Sequence, residues 1–200
     1  MRIIKVTKKA IRKAARIVEE GGVIIYPTDT VYGLGCNPFN QVAVKRVFEI
    51  KDERAKPLPI LASNIEEIEK IAQTSEKSLR LAKKFWPGPL TIVLPKKPLL
   101  PDVVTCGLDS VAVRIPSHDV ALELISLCGG LLIGTSANKT GNKPTQTALE
   151  AVEQIGDEVD FILNGGPAPI GASSTIIDLT TKKPKILRHG PIKLEDILKS

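Results

Sequence analysis

At 200 residues, with 42% apolar and 25% charged side chains, the chain has the composition of one ordinary globular domain, and disordered and fibrous classes are excluded. Aromatics are scarce at 4%, so the core must be built from Ile, Leu, Val and Ala. The formal charge of +6 favours anionic partners, and no apolar run approaches the ~20 residues that cross a bilayer.

In chain order, an apolar start over Ile3–Val6 precedes Thr7, which is placed to cap a helix carrying Ile11, Ala14, Ala15 and Val18 on one face; Gly21 and Gly22 end it. Val23–Tyr26 is a β-branched strand stopped by Pro27, and PTDTVYGLG after it reads as a loop or strand-end turn. Val44, Val47, Phe48 and Lys51 mark a second helix, and Leu58–Ala62 a strand. Asn64 with Glu67 predicts a capped helix through Ile71; Ser75 opens another that ends at Phe85 and Trp86 before Pro87.

Strands follow at Thr91–Leu94 and Val111–Ile115, then a helix over Ser117–Cys128 and a strand at Leu131–Gly134. Thr147 and Glu150 form a capping-box pattern for a helix through Ile155. Phe161–Leu163, Thr175–Leu179 and Pro184–Leu187 read as strands, and Lys193–Lys199 as a terminal helix. The rhythm predicts one α/β domain over residues 1–200, a twisted mixed sheet with flanking helices, antiparallel near Val93 and Val113 and near Ile177 and Ile186. Leu99–Asp109 and Gly165–Ser174 are expected to be flexible loops.

Cys36, Cys106 and Cys128 are odd in number and far apart, so buried thiols are expected rather than disulfides or zinc ligands. With His118 and His189 as the two histidines, neither an HExxH metal site nor a nucleophile elbow with its histidine is present, and no covalent nucleophile is expected. GGLLIGTS, Gly129–Ser136, lacks the lysine of a phosphate-binding P-loop, and Gly33 and Gly35 lack the third glycine of a dinucleotide fingerprint. No secretory leader is legible at the N-terminus, so a cytoplasmic protein is expected.

The strand ends carry PTDTVYGLG, KDERAKPLP, SVAVRIP, TSANKTGNKPTQT, GASSTIID and ILRHG, a set of hydroxyl, amide and cationic donors suited to carboxylates and phosphates. Each has a plainer reading. Thr28, Asp29 and Thr30 can satisfy a turn; Lys51, Arg54 and Lys56 can be a solvated helix end; TSAN can be an Asn turn. Arg114, between Val113 and Ile115 on an apolar strand, needs either an anionic ligand or a structural salt bridge.

These motifs, with PGPLT at Pro87–Thr91, resemble in order and spacing the YrdC family of threonylcarbamoyl-AMP synthases across nearly the whole chain. The resemblance implies a YrdC-like fold with a basic concave cavity and an L-threonylcarbamoyladenylate synthase, a nucleotidyltransferase that joins L-threonine, bicarbonate or CO2 and ATP with release of diphosphate. It implies Mg2+ on the ATP phosphates, and a separate transferase that uses the product to modify tRNA beside the anticodon. By matched motif, Thr30, Arg114, Ser136 and Ser174 would contact threonine, with Arg114 on its carboxylate. Lys51, Arg54 and Lys56 would hold the ATP phosphates, and Ser110, Asn138, Thr147 and Arg188 would be further nucleotide contacts. KDERAK is one residue shorter and GNKPTQT one longer than the usual form, and His189 stands where proline is commoner. The chain resembles the short form of the family. The alternative is a non-catalytic module that binds double-stranded RNA or tRNA through the same basic cavity, without membrane contact.

Overall fold

The computed structural model describes residues 3–53, 56–181 and 183–198. β1 (Ile3–Lys5) leads to α1 (Lys8–Glu19), where the Thr7 hydroxyl accepts the Ala10 N–H at 3.1 Å and so satisfies one of the donors left free at a helix start. Ala10, Ile11, Ala14, Ala15 and Val18 form its buried stripe. Gly21, at φ +89°, turns the chain into β2 (Ile24–Tyr26), buried throughout. Of the PTDTVYGLG segment, Gly33–Gly35 is not loop but a buried strand, β3. Its two glycines are required by close neighbours, since a Cβ would lie 2.9 Å from the Tyr26 ring at Gly33, and 2.5 Å from the Ile133 carbonyl and 2.8 Å from the same ring at Gly35.

α2 (Gln41–Lys51), β4 (Ile60–Ala62), α3 (Ile65–Ile71) and α4 (Glu76–Phe85) follow, capped by Asn40, Asn64 and Ser75 at the three helix starts. Next come β5 (Leu90–Pro95), a short α5 (Asp102–Thr105), β6 (Ser110–Arg114), α6 (Asp119–Leu127), β7 (Leu131–Ile133), β8 (Thr135–Ser136) and α7 (Ala148–Ile155). The chain continues through β9 (Phe161–Asn164), β10 (Thr175–Asp178), β11 (Lys185–Arg188) and α8 (Leu194–Leu198). Lys199, expected at the end of α8, lies outside the described residues. The stretch from Leu99 to Asp109 is anchored rather than a plain loop, because Leu100 and Val104, four residues apart, are both buried around α5.

The strands form two mixed sheets, β1-β9-β2-β3-β8 and β11-β10-β5-β6-β4-β7. In the second, β5 and β6 run antiparallel with Val93 opposite Ala112, and β10 and β11 antiparallel with Ile177 opposite Ile186, the pairings expected from the sequence. One apolar cluster draws Ile25 and Leu34 from the first sheet together with Ile60, Ile92 and Val113 from the second. Another lies beneath α1 and α6, around Ile11, Val18, Leu124 and Ile125. Gly134 alone separates β7 of the second sheet from β8 of the first. Here the Tyr26 hydroxyl donates to the Ile133 carbonyl at 3.0 Å, and a Cβ on Gly134 would sit 2.3 Å from Leu61 Cγ.

Only Cys36 meets the expectation of buried thiols, and burial pushes it up to about 12. Cys106 is exposed because it occupies the left-handed position that ends α5, and Cys128 is half-buried. No helix among the described residues is long and apolar enough to cross a membrane.

Candidate active site

A cavity of about 350 Å3 opens where the two sheets meet. Its walls are the turn before β3 (Thr30, Val31), the end of α2 (Lys51), the stretch from Lys56 to Leu61, one face of β5 and β6, the Gly134 crossing with the turn after it, and Ser174 with Arg188.

Strand alternation puts Ala112 and Arg114 on the cavity face of β6. The Arg114 guanidinium, 4% exposed, donates from Nε to the Gly88 carbonyl at 2.9 Å and from Nη1 to Thr30 Oγ1 at 2.8 Å, while Nη2 pairs with the Asp29 carboxylate. The structural salt bridge is therefore present. It uses three of the five guanidinium N–H groups and leaves one on each terminal nitrogen. Burial pulls the Arg114 pKa down, and Asp29 opposes that pull. Asp29 Oδ2 is buried without a hydrogen-bond partner among the described residues. Thr28 commits its proton to the Val31 carbonyl at 2.6 Å, so the Thr30 hydroxyl, 3.1 Å away, donates to Thr28 and accepts from Arg114.

Across the cavity, Ser174 Oγ lies 2.7 Å from Thr91 Oγ1, and Arg188 donates to Ser174 twice, from Nε to its carbonyl at 2.9 Å and from Nη2 to its hydroxyl at 3.0 Å. Arg188 is lowered from its ordinary pKa by burial and then by the charge of Arg114. Two guanidinium groups thus contribute to one positive field.

Lys51, 7% exposed, spans from the end of α2 to the TSAN turn and donates to the carbonyls of Ser136 at 2.8 Å and Asn138 at 2.9 Å. Burial first, and the charge of Lys56 second, lower it to about 8; Glu53 opposes. Asn138 Nδ2 ties the turn to the carbonyls of Lys139 and Asn142, leaving its Oδ1 as a buried acceptor with no partner among the described residues. The Asn-turn reading of TSAN therefore holds, with one free acceptor besides.

Thr30, Lys51, Lys56, Arg114, Ser136, Asn138, Ser174 and Arg188 line this one cavity. Ser110 shares a strand face with Arg114 at the far end of β6, beyond the lining. Thr147 stands outside it as the N-cap of α7, accepting the Glu150 N–H at 3.2 Å, while the Glu150 carboxylate accepts the Gln146 N–H at 2.6 Å. Arg54 lies outside the described residues. Sequence reasoning gave no role to Asp29 as the partner of Arg114 or to Thr91 as the partner of Ser174, although both sit inside motifs it singled out. No group of three or more metal-ligating side chains occurs among the described residues.

The Sua5/yciO/yrdC (telomere recombination) family model matches residues 16–190. The chain belongs to this family. Among relatives of the family, the threonylcarbamoyl-AMP synthase of Pyrococcus abyssi is 45% identical over 94% of the chain and 56% of its own length. That of Bacillus subtilis is 40% identical over 94% and 55%. The chain thus spans about half the length of these curated relatives. The crystal structure of P. abyssi Sua5 complexed with L-threonine superposes on the whole chain with a TM-score of 0.96 at 43% identity, covering 60% of that protein.

Proposed function

We propose that this protein is an L-threonylcarbamoyladenylate synthase, a nucleotidyltransferase of the cytosol that condenses L-threonine, bicarbonate or CO2 and ATP. The observation that carries this reading is the division of the cavity's cations. Arg114 is locked by Asp29, Thr30 and Gly88 with one N–H left on each terminal nitrogen, a pattern for a single carboxylate. Lys51, Lys56 and Arg188 form a separate set suited to a triphosphate. A cavity of about 350 Å3 fits small molecules rather than a duplex backbone.

In this reading Arg114 holds the threonine carboxylate, with Thr30, Ser136 and Ser174 as hydroxyl partners. The threonine nitrogen, once neutral, adds to CO2 and loses a proton to give a carbamate. A carbamate oxygen then attacks the α-phosphorus of ATP, the bond from that phosphorus to the α,β-bridging oxygen breaks, and the β- and γ-phosphates leave together as diphosphate. The step asks for positioning and charge neutralisation and for no protein nucleophile. Asn138 Oδ1 is an acceptor for a nucleotide donor, and Arg54, Ser110 and Thr147 remain nucleotide contacts by motif. Mg2+ fits as an ion carried by the triphosphate, because it keeps water and phosphate ligands and the cavity lining offers one carboxylate, Glu53, to hold it. Its chemistry would be neutralisation of the departing diphosphate. The product would pass to a separate tRNA threonylcarbamoyl transferase.

The shared apolar cluster supports folding of the chain as one domain. Diphosphate release from ATP in bicarbonate buffer, with and without L-threonine, tests the activity. Threonine-dependent release is expected, and release that ignores threonine, or none, would overturn the reading.

A further inference from the structure

Thr91 and Ser174 are both buried, and both line the cavity with their hydroxyl oxygens 2.7 Å apart. Two hydroxyls carry two hydrogens, and this pair shares one mutual bond. Ser174 Oγ also accepts from Arg188 Nη2, and neither hydroxyl donates to any other group among the described residues. Whichever of the two donates inside the pair, one O–H is left over, in a place where an unpaired polar hydrogen is unfavourable. Packing does not ask for it, since valine would suit a buried strand position between Leu90 and Ile92 as well as threonine does. An acceptor held in the cavity would complete the set.

The position of the pair narrows the choice of acceptor. The ladder of β5 with β6 sets Ile92 opposite Val113, which makes Thr91 and Arg114, one step further, neighbours on the cavity face, about 5 Å apart at the backbone. On its other side the pair meets Arg188, which keeps three of its five N–H groups after its two bonds to Ser174. A hydroxyl hydrogen beside a guanidinium calls for an anionic oxygen rather than a neutral one. That oxygen lies within one strand spacing of the guanidinium assigned to the threonine carboxylate.

We propose that Thr91, Ser174 and Arg188 form the subsite for the one-carbon substrate: Thr91 fixes the Ser174 hydroxyl, and the left-over O–H with Arg188 holds the oxygens of bicarbonate and then of the carbamate made from it. This assignment rests on the synthase reading above. Bound bicarbonate gives up hydroxide and becomes CO2, the neutral threonine amine adds to its carbon, and the proton that the amine loses joins the hydroxide as water. Bicarbonate and carbamate suit one receptor because each is planar, singly charged and presents a carboxylate-like pair of oxygens. The threonine amine stands one carbon from the carboxylate held by Arg114, so a group built on it falls beside Thr91. The remaining N–H groups of Arg188 also allow its contact with ATP, which brings the carbamate oxygen and the phosphorus it attacks to one guanidinium.

The test measures diphosphate release in degassed buffer with bicarbonate, L-threonine and ATP varied in turn, for the native protein, Thr91→Val and Thr91→Ser. Thr91→Val keeps the shape and the strand preference and removes the hydroxyl. It is expected to raise the KM for bicarbonate about tenfold or more, the loss of one hydrogen bond to a charged group, with the KM for threonine and for ATP within about threefold. Thr91→Ser should restore the native value. An unchanged bicarbonate KM in Thr91→Val overturns the proposal, and a rise for threonine alone or ATP alone does so by giving the pair to that ligand. An equal rise of all three, or a fall in kcat alone, marks a structural role and overturns it too. Nitrate, a planar oxyanion that cannot react, tests the subsite without turnover and without a variant. Titrated into the native protein, it should shift the amide resonances of Thr91 and Ser174 and be displaced by bicarbonate; absence of either effect overturns the subsite. A native protein without threonine-dependent diphosphate release refutes the synthase reading, and the nitrate titration then decides the oxyanion site by itself.

Discussion

Asp29, on the turn after β2, and Arg114, at the end of β6, form a buried ion pair that joins the two sheets. The pair is 2% and 4% exposed, and one carboxylate oxygen has no further partner. Such a pair adds little stability over an apolar replacement of both members, but removal of one member leaves the other charge buried without its partner. Asp29→Ala should therefore destabilise the fold by about 3 to 5 kcal/mol, measured as a lowered urea midpoint with an unchanged slope. A loss below about 1 kcal/mol, the range of an exposed pair, would contradict the burial described for it.

Arg114→Lys should raise the threonine requirement about ten- to a hundred-fold, equivalent to about 1.5 to 3 kcal/mol for a hydrogen bond to a charged group. An ammonium has three donors and no planar fork. Arg114 already spends three N–H groups on Asp29, Thr30 and Gly88, so a lysine has none to spare for a substrate. ATP affinity, carried by other cations, should stay within about threefold, a change of less than 1 kcal/mol. Steady-state kinetics with each substrate varied in turn separates the two effects.

Lys51 makes a pH dependence. Its pKa in the folded chain lies near 8, below the ordinary 10.5, because burial penalises the charge. Between these values the unfolded chain binds the extra proton, so this group makes stability rise with pH from about 8 and imposes a constant penalty below it. A bound triphosphate favours the protonated form instead. ATP affinity should fall as pH rises above about 8, and binding at about pH 8.5 should take up protons. Calorimetric titration in two buffers of different ionisation enthalpy detects the uptake, and Lys51→Arg should abolish it.

Thr147 and Lys56 separate capping from ligand contact. Thr147→Ala removes the N-cap of α7 and should cost about 1 kcal/mol of stability, leaving ATP affinity as it was. Exposed Lys56, on the cavity rim, should behave in the opposite way: Lys56→Ala should weaken ATP binding while stability stays within about 0.5 kcal/mol. A nucleotide titration and a thermal melt of each variant decide both.

Helices α1, α3, α4 and α7 were legible because their caps are local, whereas the short α5, which has no side-chain cap, was expected as loop. Thr7, Asn64, Ser75 and Thr147 each accept the N–H three residues on, a contact that a short window of sequence contains. The antiparallel pairing of β5 with β6 was legible because the two strands follow one another in the chain, although the register that sets Val93 opposite Ala112 was not. The division into two sheets was not. It depends on β9 slipping between β1 and β2 from well over a hundred residues away, and no local pattern encodes such a pairing. Gly33–Gly35 was hidden for a different reason: glycine is a poor strand former, and its use here follows from the Tyr26 ring and the Ile133 carbonyl lying against it. In the site, the motifs named eight of the lining residues, but the partner of Arg114 lies 85 positions away and only the fold selects Asp29 over other carboxylates.

Gly134 carries the backbone from one sheet to the other in a single step, on the wall of the cavity. A ligand seated there touches both sheets and works as a rivet across the joint. Amides of β4 and β7 on one side and of β3 and β8 on the other would then slow their hydrogen exchange together on ligand binding, although the two sets belong to different ladders. A methyl group at residue 134 would act as a wedge instead. It would drive against Leu61 and prise the joint open at the wall of the cavity.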